Sequence, residues 1–215
     1  MITECKSQIK ILIADDHPLF RQGLKNAFGD TSDIEVVSEV DNSNDILGKV
    51  REHNLSLVLL DISMPGKGGL EVLKQLKTEF PKTPVLILSV YPESQYAVRF
   101  IKAGASGYLT KESSIDTLLD AVRKVAQGGN YASADITEKL AFDFLNIDKP
   151  LHELLSDREY QVFSMIATGK SLTEIGKDLS LSVKTISTHR TRILDKMRMK
   201  KNAELIHYAI QHELL

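Results

Sequence analysis

Short apolar runs alternate with helical patterns along the first 130 residues. Four such runs predict strands, at Ile9–Ala14, Leu55–Leu60, Val85–Leu88 and Gly107–Leu109, and a fifth strand is predicted at Ile34–Val40, where apolar and polar residues alternate more. Between and after them, apolar residues recur at spacings of three and four positions, which is typical of helices. These helices are predicted at Phe20–Phe28, Asn44–His53, Leu70–Phe80, Gln95–Ala103 and Ile115–Gln127. Strands that alternate with helices of this length favour a parallel sheet covered on both faces.

The pattern becomes purely helical after Gly129. A linker with a short helix, Asp135–Leu145, comes first. Further helices are then predicted at Asp157–Thr168, Leu172–Leu179, Val183–Met197 and Asn202–His212. The first three of these follow serines suited to N-capping, at Ser156, Ser171 and Ser182. The sequence therefore predicts an α/β domain at 7–130, a linker at 131–150 and an all-α domain at 151–215.

Composition and charge indicate a globular chain with two different functions. Of its 215 residues, 42% are hydrophobic and 26% charged, which excludes a disordered or fibrous protein. The net charge is only −2, but residues 170–201 hold nine basic and three acidic side chains. A single cysteine, Cys5, excludes an internal disulfide and Cys-based zinc sites. Without a long apolar run or a signal peptide, the chain is expected to be soluble and cytoplasmic.

Chemically active side chains stand where the predicted strands end. The first strand is followed by Asp15 and Asp16 and the third by Asp61, the fourth runs into Ser89, and Lys111 comes just after the fifth. The carboxyl ends of parallel strands form the ligand-binding edge of an open α/β sheet. Three carboxylates grouped there are unfavourable unless a cation binds, and hard oxygen ligands suit Mg²⁺. Any one of these residues alone is typical of a turn, a helix cap or a solvated surface; together they predict phosphoryl chemistry at a carboxylate nucleophile.

Residues 9–129 resemble the receiver domain of bacterial two-component response regulators. The matching motifs are ILIADDHPLFRQGL, VLLDISMPGKGGLEVL, VLILSV and GASGYLTKES, in the family's order. The resemblance implies a flavodoxin-like (βα)5 fold in which Asp61 accepts a phosphoryl group from a cognate sensor histidine kinase. It also assigns Mg²⁺ to Asp16, Asp61 and the Ser63 carbonyl, with Asp15 acting through water. Ser89 and Tyr108 match the switch pair of the family, and Lys111 matches its phosphate-binding lysine.

The segment Leu172–Met197 has the layout of a helix-turn-helix motif. On the second predicted helix, the apolar residues Ile186, Ile193, Leu194 and Met197 share one side. The opposite side is small, polar and basic, which suits the major groove of double-stranded DNA. The predicted contacts are Lys184, Ser187, Thr188, Thr191 and Arg192. Such a face is also typical of a merely solvated helix, and the local positive charge favours DNA binding.

Two neighbouring residues of this helix have other predicted roles. Arg190 projects nearer the apolar edge, so an internal ion pair with Glu159 or Glu174 is at least as well supported as a DNA contact. His189 is predicted to be packed or surface-polar rather than a ligand.

Residues 155–212 resemble the LuxR-type DNA-binding domain, a four-helix variant of the motif. The matching run is LSDREYQVFSMIATGKSLTEIGKDLSLSVKTISTHRTRILDKM, with Gly176 where alanine is commoner. A receiver followed by this domain is the order of the NarL/FixJ class of transcription regulators. The resemblance implies a homodimer on promoter DNA, with the last helix helping dimerisation and RNA polymerase as a further partner. It implies a regulator and not an enzyme.

Two alternatives remain open from the sequence. One is a constitutive DNA-binding regulator without a phosphorylation switch, against which the intact set of strand-end residues argues. The other is a Mg²⁺-dependent phosphohydrolase that uses Asp61 as its nucleophile. That chemistry needs an acid or base two residues further on, where Ser63 stands, and it leaves the helical segment unused.

Overall fold

The computed structural model describes residues 8–145, 150–212 and 214–215. The chain divides into two compact units between residues 140 and 141. This boundary falls within the stretch predicted as a linker, although the predicted limits of 7–130, 131–150 and 151–215 stay a prediction. Cys5 and residues 146–149 of the predicted linker lie outside the described residues.

A five-stranded parallel sheet forms the centre of the first unit. Its strands, β1 to β5, are Ile9–Ala14, Ile34–Val40, Leu57–Leu60, Val85–Ser89 and Gly107–Thr110. They lie in the order β2-β1-β3-β4-β5, and every neighbouring pair is parallel. The predicted parallel sheet is thus confirmed, with strand limits within two residues of the predicted ones. The register places Ala14 beside Leu60, so the residues that follow β1 and β3 meet at one edge.

Five helices connect and follow these strands. They are α1 to α5, at Pro18–Gly29, Ile46–Glu52, Gly69–Glu79, Glu93–Lys102 and Ile115–Ala126. Residues of α1 and α5, among them Phe28 and Val122, form one core with alternate strand residues such as Ile13 and Leu59. The intervening strand residues point to the opposite face and are also buried. Burial on both faces explains why β3 and β4 are continuous apolar runs, whereas the edge strand β2 keeps polar residues between its apolar ones.

The rest of the described chain is helical, as predicted. The helices α6 to α10 are Ala134–Leu145, Asp157–Ala167, Leu172–Asp178, Val183–Lys196 and Asn202–Gln211. A 3-10 turn at Leu151–Leu154, which the periodicity did not predict, precedes α7. The side chains of Ser156, Ser171 and Ser182 accept hydrogen bonds from the third residue of α7, α8 and α9, so all three predicted N-caps are confirmed. Among the described residues, none of the helices has the length and apolar character needed to cross a membrane.

Candidate phosphoryl site and nucleic-acid interface

Three carboxylates and one imidazole converge at the carboxyl ends of β1 and β3. One ligand atom from each of Asp15, Asp16, His17 and Asp61 lies within 4.8 Å of the others. The backbone holds this arrangement directly, because the Asp61 amide donates a hydrogen bond to the Ala14 carbonyl at 2.8 Å. Asp15 and Asp61 are almost fully buried, whereas the Asp16 side chain is 28% exposed. The cluster therefore opens to solvent on the side of Asp16.

Lys111 places its ammonium between the two buried carboxylates. Its Nζ lies 2.7 Å from Asp15 Oδ2, 2.6 Å from Asp61 Oδ2 and 4.7 Å from the centroid of the Phe20 ring. Only 8% of the Lys111 side chain is exposed, so this ion-pair network is sheltered from solvent. Burial raises the pKa of Asp61 above that of an ordinary carboxyl, while the Lys111 ammonium opposes the shift. One ammonium faces three carboxylates, which leaves the site with excess negative charge.

The remaining donor atoms fit a hard divalent cation. Asp16 Oδ1 is buried and accepts no hydrogen bond from the described residues, although His17 Nδ1 lies 2.9 Å from it in poor hydrogen-bond geometry. Such a buried oxygen is costly unless it is paired. Asp61 Oδ1 accepts a hydrogen bond from the Ser63 amide at 2.8 Å, which fixes the orientation of the carboxylate. An all-oxygen set that is partly open to water suits Mg²⁺.

Ser89 and Tyr108 lie on neighbouring strands beside this cluster. Ser89 is fully buried at the end of β4, and its carbonyl accepts a hydrogen bond from the Lys111 amide. Its Oγ accepts one from the Tyr91 amide at 3.1 Å. The Tyr108 side chain is also buried, and burial raises its pKa, while a hydrogen bond with Ser89 opposes the shift. The sequence-predicted residues of the receiver half thus lie together at one edge of the sheet.

Two further residues contribute to the cluster. His17 occupies the N-cap position of α1, without a capping hydrogen bond from its side chain, and its Nδ1 lies 3.3 Å from Lys111 Nζ. Arg21, which sequence reasoning missed, donates from Nη1 to the Asp15 carbonyl at 2.5 Å. The signal that could have identified it is its position one turn into α1, five residues after Asp16. Arg21 therefore fixes the backbone that presents Asp15 and Asp16.

Helix α9 separates an apolar from a polar side, as predicted. Ile186, Ile193, Leu194 and Met197 are buried. All five predicted DNA-contacting residues are exposed: Lys184, Ser187, Thr188, Thr191 and Arg192. Within the described part of the chain, Lys184 and Arg192 form no ion pair. Their charges are therefore available to an external anion.

Other basic residues of the helical unit are engaged internally. Lys196 Nζ lies 2.6 Å from Glu159 Oε2, and Lys170 Nζ lies 2.7 Å from Asp178 Oδ2. The ion pair predicted for Arg190 with Glu159 or Glu174 is wrong. Arg190 instead donates from Nε to Asn202 Oδ1 at 2.6 Å, because the start of α10 lies nearer than either carboxylate that the sequence suggested.

His189 is partly buried, as predicted. Burial lowers the pKa of its imidazole, and the neighbouring cations of Arg158 and Arg192 lower it further. The histidine is therefore held neutral at physiological pH, which agrees with a packing role.

Two known protein families match separate parts of the chain. Residues 11–123 match the family model of the response regulator receiver domain, and residues 153–209 match that of bacterial regulatory proteins of the luxR family. The chain belongs to the response regulators of the NarL/FixJ class. Oxygen regulatory protein NreC of Staphylococcus epidermidis is 35% identical over 216 residues, covering 96% of this chain and 99% of NreC. Response regulator GacA of Pseudomonas aeruginosa is 36% identical over 210 residues, covering 96% and 98%.

Solved structures show the same fold. The Salmonella typhimurium RcsB response regulator superposes with a TM-score of 0.59 at 22% identity, covering 95% of this chain and 99% of that one. The response regulator ChrA of a heme-sensing two-component system superposes with a TM-score of 0.52 at 28% identity, covering 97% and 100%. This response regulator therefore combines a flavodoxin-like receiver with a LuxR-type DNA-binding domain. The assignment favours a regulator over a phosphohydrolase, and a receiver domain implies a histidine kinase as partner.

Proposed function

We propose that this response regulator is switched by phosphorylation of Asp61 and then binds promoter DNA as a homodimer. The observation that carries the proposal is the buried Lys111 ammonium held between Asp15 and Asp61. An ammonium at this position neutralises phosphoryl oxygens carried by the Asp61 carboxylate. A phosphohistidine of the cognate sensor histidine kinase supplies the phosphoryl group. An oxygen of the Asp61 carboxylate attacks the phosphorus, the P–N bond breaks, and the kinase histidine leaves as an imidazole.

The cation of the site is proposed to be Mg²⁺. Asp16, Asp61 and the Ser63 carbonyl would hold it, with Asp15 acting through water. When bound, Mg²⁺ neutralises phosphoryl oxygens in the transition state and so lowers the barrier to transfer. The protein contributes the fixed orientation of Asp61 through the Ser63 amide, and the fixed backbone of Asp15 through Arg21. Lys111 then exchanges its contact with Asp61 Oδ2 for one with the phosphoryl group.

Ser89 and Tyr108 are proposed to transmit the change. A phosphoryl group on Asp61 adds strong acceptor oxygens beside the buried Ser89 hydroxyl. Ser89 binds one of them, which stabilises the arrangement with Tyr108 turned inward. The modification thus shifts the population between two pre-existing states of the receiver.

Helix α9 is proposed to enter the major groove of double-stranded DNA. Lys184 and Arg192 offer unpaired charge to phosphates, while Ser187, Thr188 and Thr191 face the bases. One solved relative, RcsB, is described as two dimers bound to two parallel DNAs. Dimeric binding predicts half-sites about 34–36 Å apart or a multiple of that distance. RNA polymerase is the partner expected at such a promoter.

Intact-mass spectrometry tests the phosphoacceptor. The full chain is incubated with Mg²⁺ and acetyl phosphate, alongside Asp61→Asn and the exposed-residue control Asp30→Asn. We expect one phosphoryl group on the parent and on Asp30→Asn, and none on Asp61→Asn. Fluorescence anisotropy with a labelled promoter duplex then compares the two forms, and the phosphorylated form should bind more tightly. No modification by acetyl phosphate or by any histidine kinase tested would favour a constitutive regulator instead.

A further inference from the structure

Two threonines on the exposed side of α9 direct their hydroxyl groups onto the helix itself. Thr188 Oγ1 donates to the Lys184 carbonyl, and Thr191 Oγ1 donates to the Ser187 carbonyl, each at 3.1 Å. Both threonines are exposed. Threonine in a helix commonly forms this bond to the carbonyl four residues earlier. The single hydroxyl proton of each side chain is therefore committed within the protein.

This internal hydrogen bond limits the contacts that each threonine can form with a base. A hydroxyl has one proton to donate, so neither side chain can donate to the acceptor atoms of guanine while the helix bond persists. Since Cβ carries only the hydroxyl, the methyl and a hydrogen, turning the hydroxyl onto the backbone leaves the methyl as the free outer group. The major-groove edge that matches a methyl group is thymine, because its 5-methyl is the apolar feature of that groove.

We propose that Thr188 and Thr191 determine specificity by packing their methyl groups against the 5-methyl groups of thymines. The inference rests on the proposed DNA-binding function and specifies the base class that α9 selects. Lys184 and Arg192 lie on the same exposed side, so phosphate contacts can hold the threonines at the base edges. Val183, which is 45% exposed at the first position of α9, extends the apolar surface. Ser187 has no methyl and serves as the internal control.

The test needs a duplex that the protein itself selects. The full-length protein, phosphorylated with acetyl phosphate, enriches binding sequences from a randomised double-stranded library. The enriched duplex is then synthesised with thymine or with uracil, which lacks the 5-methyl group and leaves base pairing unchanged. Anisotropy titration of both duplexes should show weaker binding to uracil, by about fourfold for each thymine methyl group that had packed against a threonine.

Substitutions of the two threonines test whether their methyl groups cause the weaker binding to the uracil duplex. Thr188→Val and Thr191→Val keep a methyl and lose the hydroxyl, so they should retain the preference for the thymine duplex over the uracil duplex. Thr188→Ser and Thr191→Ser lose the methyl, so each should bind the thymine duplex about fourfold more weakly and the uracil duplex as the parent does. Ser187→Ala should leave the ratio of thymine to uracil affinity unchanged. These substitutions have similar helix propensities apart from alanine, so α9 should persist in all of them.

Failure of methyl recognition and failure of sequence-specific DNA binding would give different results. Equal affinity of the parent for thymine and uracil duplexes, or valine variants that lose the preference for thymine as the serine variants do, would overturn methyl recognition while leaving DNA binding intact. A library that yields no enriched duplex would instead contradict the proposed sequence-specific DNA binding, and methyl recognition with it.

Discussion

The Tyr108 hydroxyl donates a hydrogen bond to the main-chain carbonyl of Tyr91 at 3.0 Å. This bond joins β5 to the segment that follows β4, two residues after Ser89. The same segment is held by stacking of the Tyr91 ring on Tyr96, with centroids 4.8 Å apart. The buried tyrosine therefore fixes the backbone directly beside the proposed phosphoryl site.

Replacing Tyr108 by phenylalanine should destabilise the receiver without disturbing its core. The ring keeps its packing, but the Tyr91 carbonyl loses its donor, so the free energy of unfolding should fall by about 1 kcal/mol. Tyr131→Phe is the matched control, since the Tyr131 hydroxyl forms no hydrogen bond among the described residues. Urea unfolding followed by circular dichroism measures both variants. Equal midpoints for Tyr108→Phe and the parent would show that the hydroxyl contributes nothing to this state.

Removing the Lys111 ammonium should make the receiver depend on a cation. In Lys111→Met, Asp15 and Asp61 stay buried and lose their shared ion-pair partner. The free energy of unfolding in EDTA should therefore be about 3–5 kcal/mol lower than that of the parent. Mg²⁺ should restore part of this stability, since the bound ion replaces the missing positive charge. Thermal unfolding with and without Mg²⁺ measures the effect. A Mg²⁺-induced rise in Tm no larger than that of the parent would contradict a shared carboxylate site.

Most of the fold was predictable because burial determines the sequence pattern. Strands β3 and β4 are buried on both faces, so each appears as a continuous apolar run, and the capping serines mark three helix starts. The 3-10 turn at Leu151–Leu154 was missed, since four residues are too few to show a period. Parallel pairing then brought Asp15, Asp61 and Ser89 to one edge without further information.

The partners of individual side chains were harder to predict than the fold. Arg21 has no feature in the sequence, apart from its place after the acidic pair, that distinguishes it from a surface arginine, yet its guanidinium reaches the Asp15 carbonyl. Arg190 was predicted to pair with a carboxylate because opposite charges can be read from the sequence. Its observed partner is the neutral side-chain amide of Asn202, which the sequence does not single out from other polar residues. The hydroxyl directions of Thr188 and Thr191 were likewise invisible, because a side-chain rotamer leaves no trace in the residue pattern.

Glu159 should make the helical unit sensitive to acid. Burial raises its pKa, but the hydrogen bonds from Lys196 and Ser156 outweigh burial and hold the pKa of this carboxyl below its ordinary value. A carboxyl with a lowered native pKa contributes stability above its unfolded pKa, about 4.3, and loses it as pH falls through the native value. Glu159→Gln should therefore be about 1 kcal/mol less stable than the parent at pH 7, with the difference disappearing as the pH falls through the lowered native pKa.

Glu174 provides the control for this pH dependence. It forms the same capping box at the start of α8, but it is exposed and has no ion pair with any described residue like that of Glu159 with Lys196. Glu174→Gln should therefore change the stability less than Glu159→Gln at pH 7. Chemical unfolding of both variants between pH 3 and pH 7 makes the comparison. A stability difference for Glu159→Gln that is constant across this range would mean that its charge does not matter.

The salt dependence of DNA binding should separate the free cations of α9 from the paired ones. Lys184 and Arg192 form no ion pair among the described residues, whereas Lys170 is paired with Asp178. Each phosphate contact releases counterions, so Lys184→Ala and Arg192→Ala should each reduce the slope of log K against log salt by about 1. Lys170→Ala should change the slope less, because its charge is already neutralised. Anisotropy titrations from low to physiological salt on the full chain supply the slopes. If Lys184→Ala and Arg192→Ala leave both affinity and slope unchanged, the exposed side of α9 is not the surface that contacts phosphates.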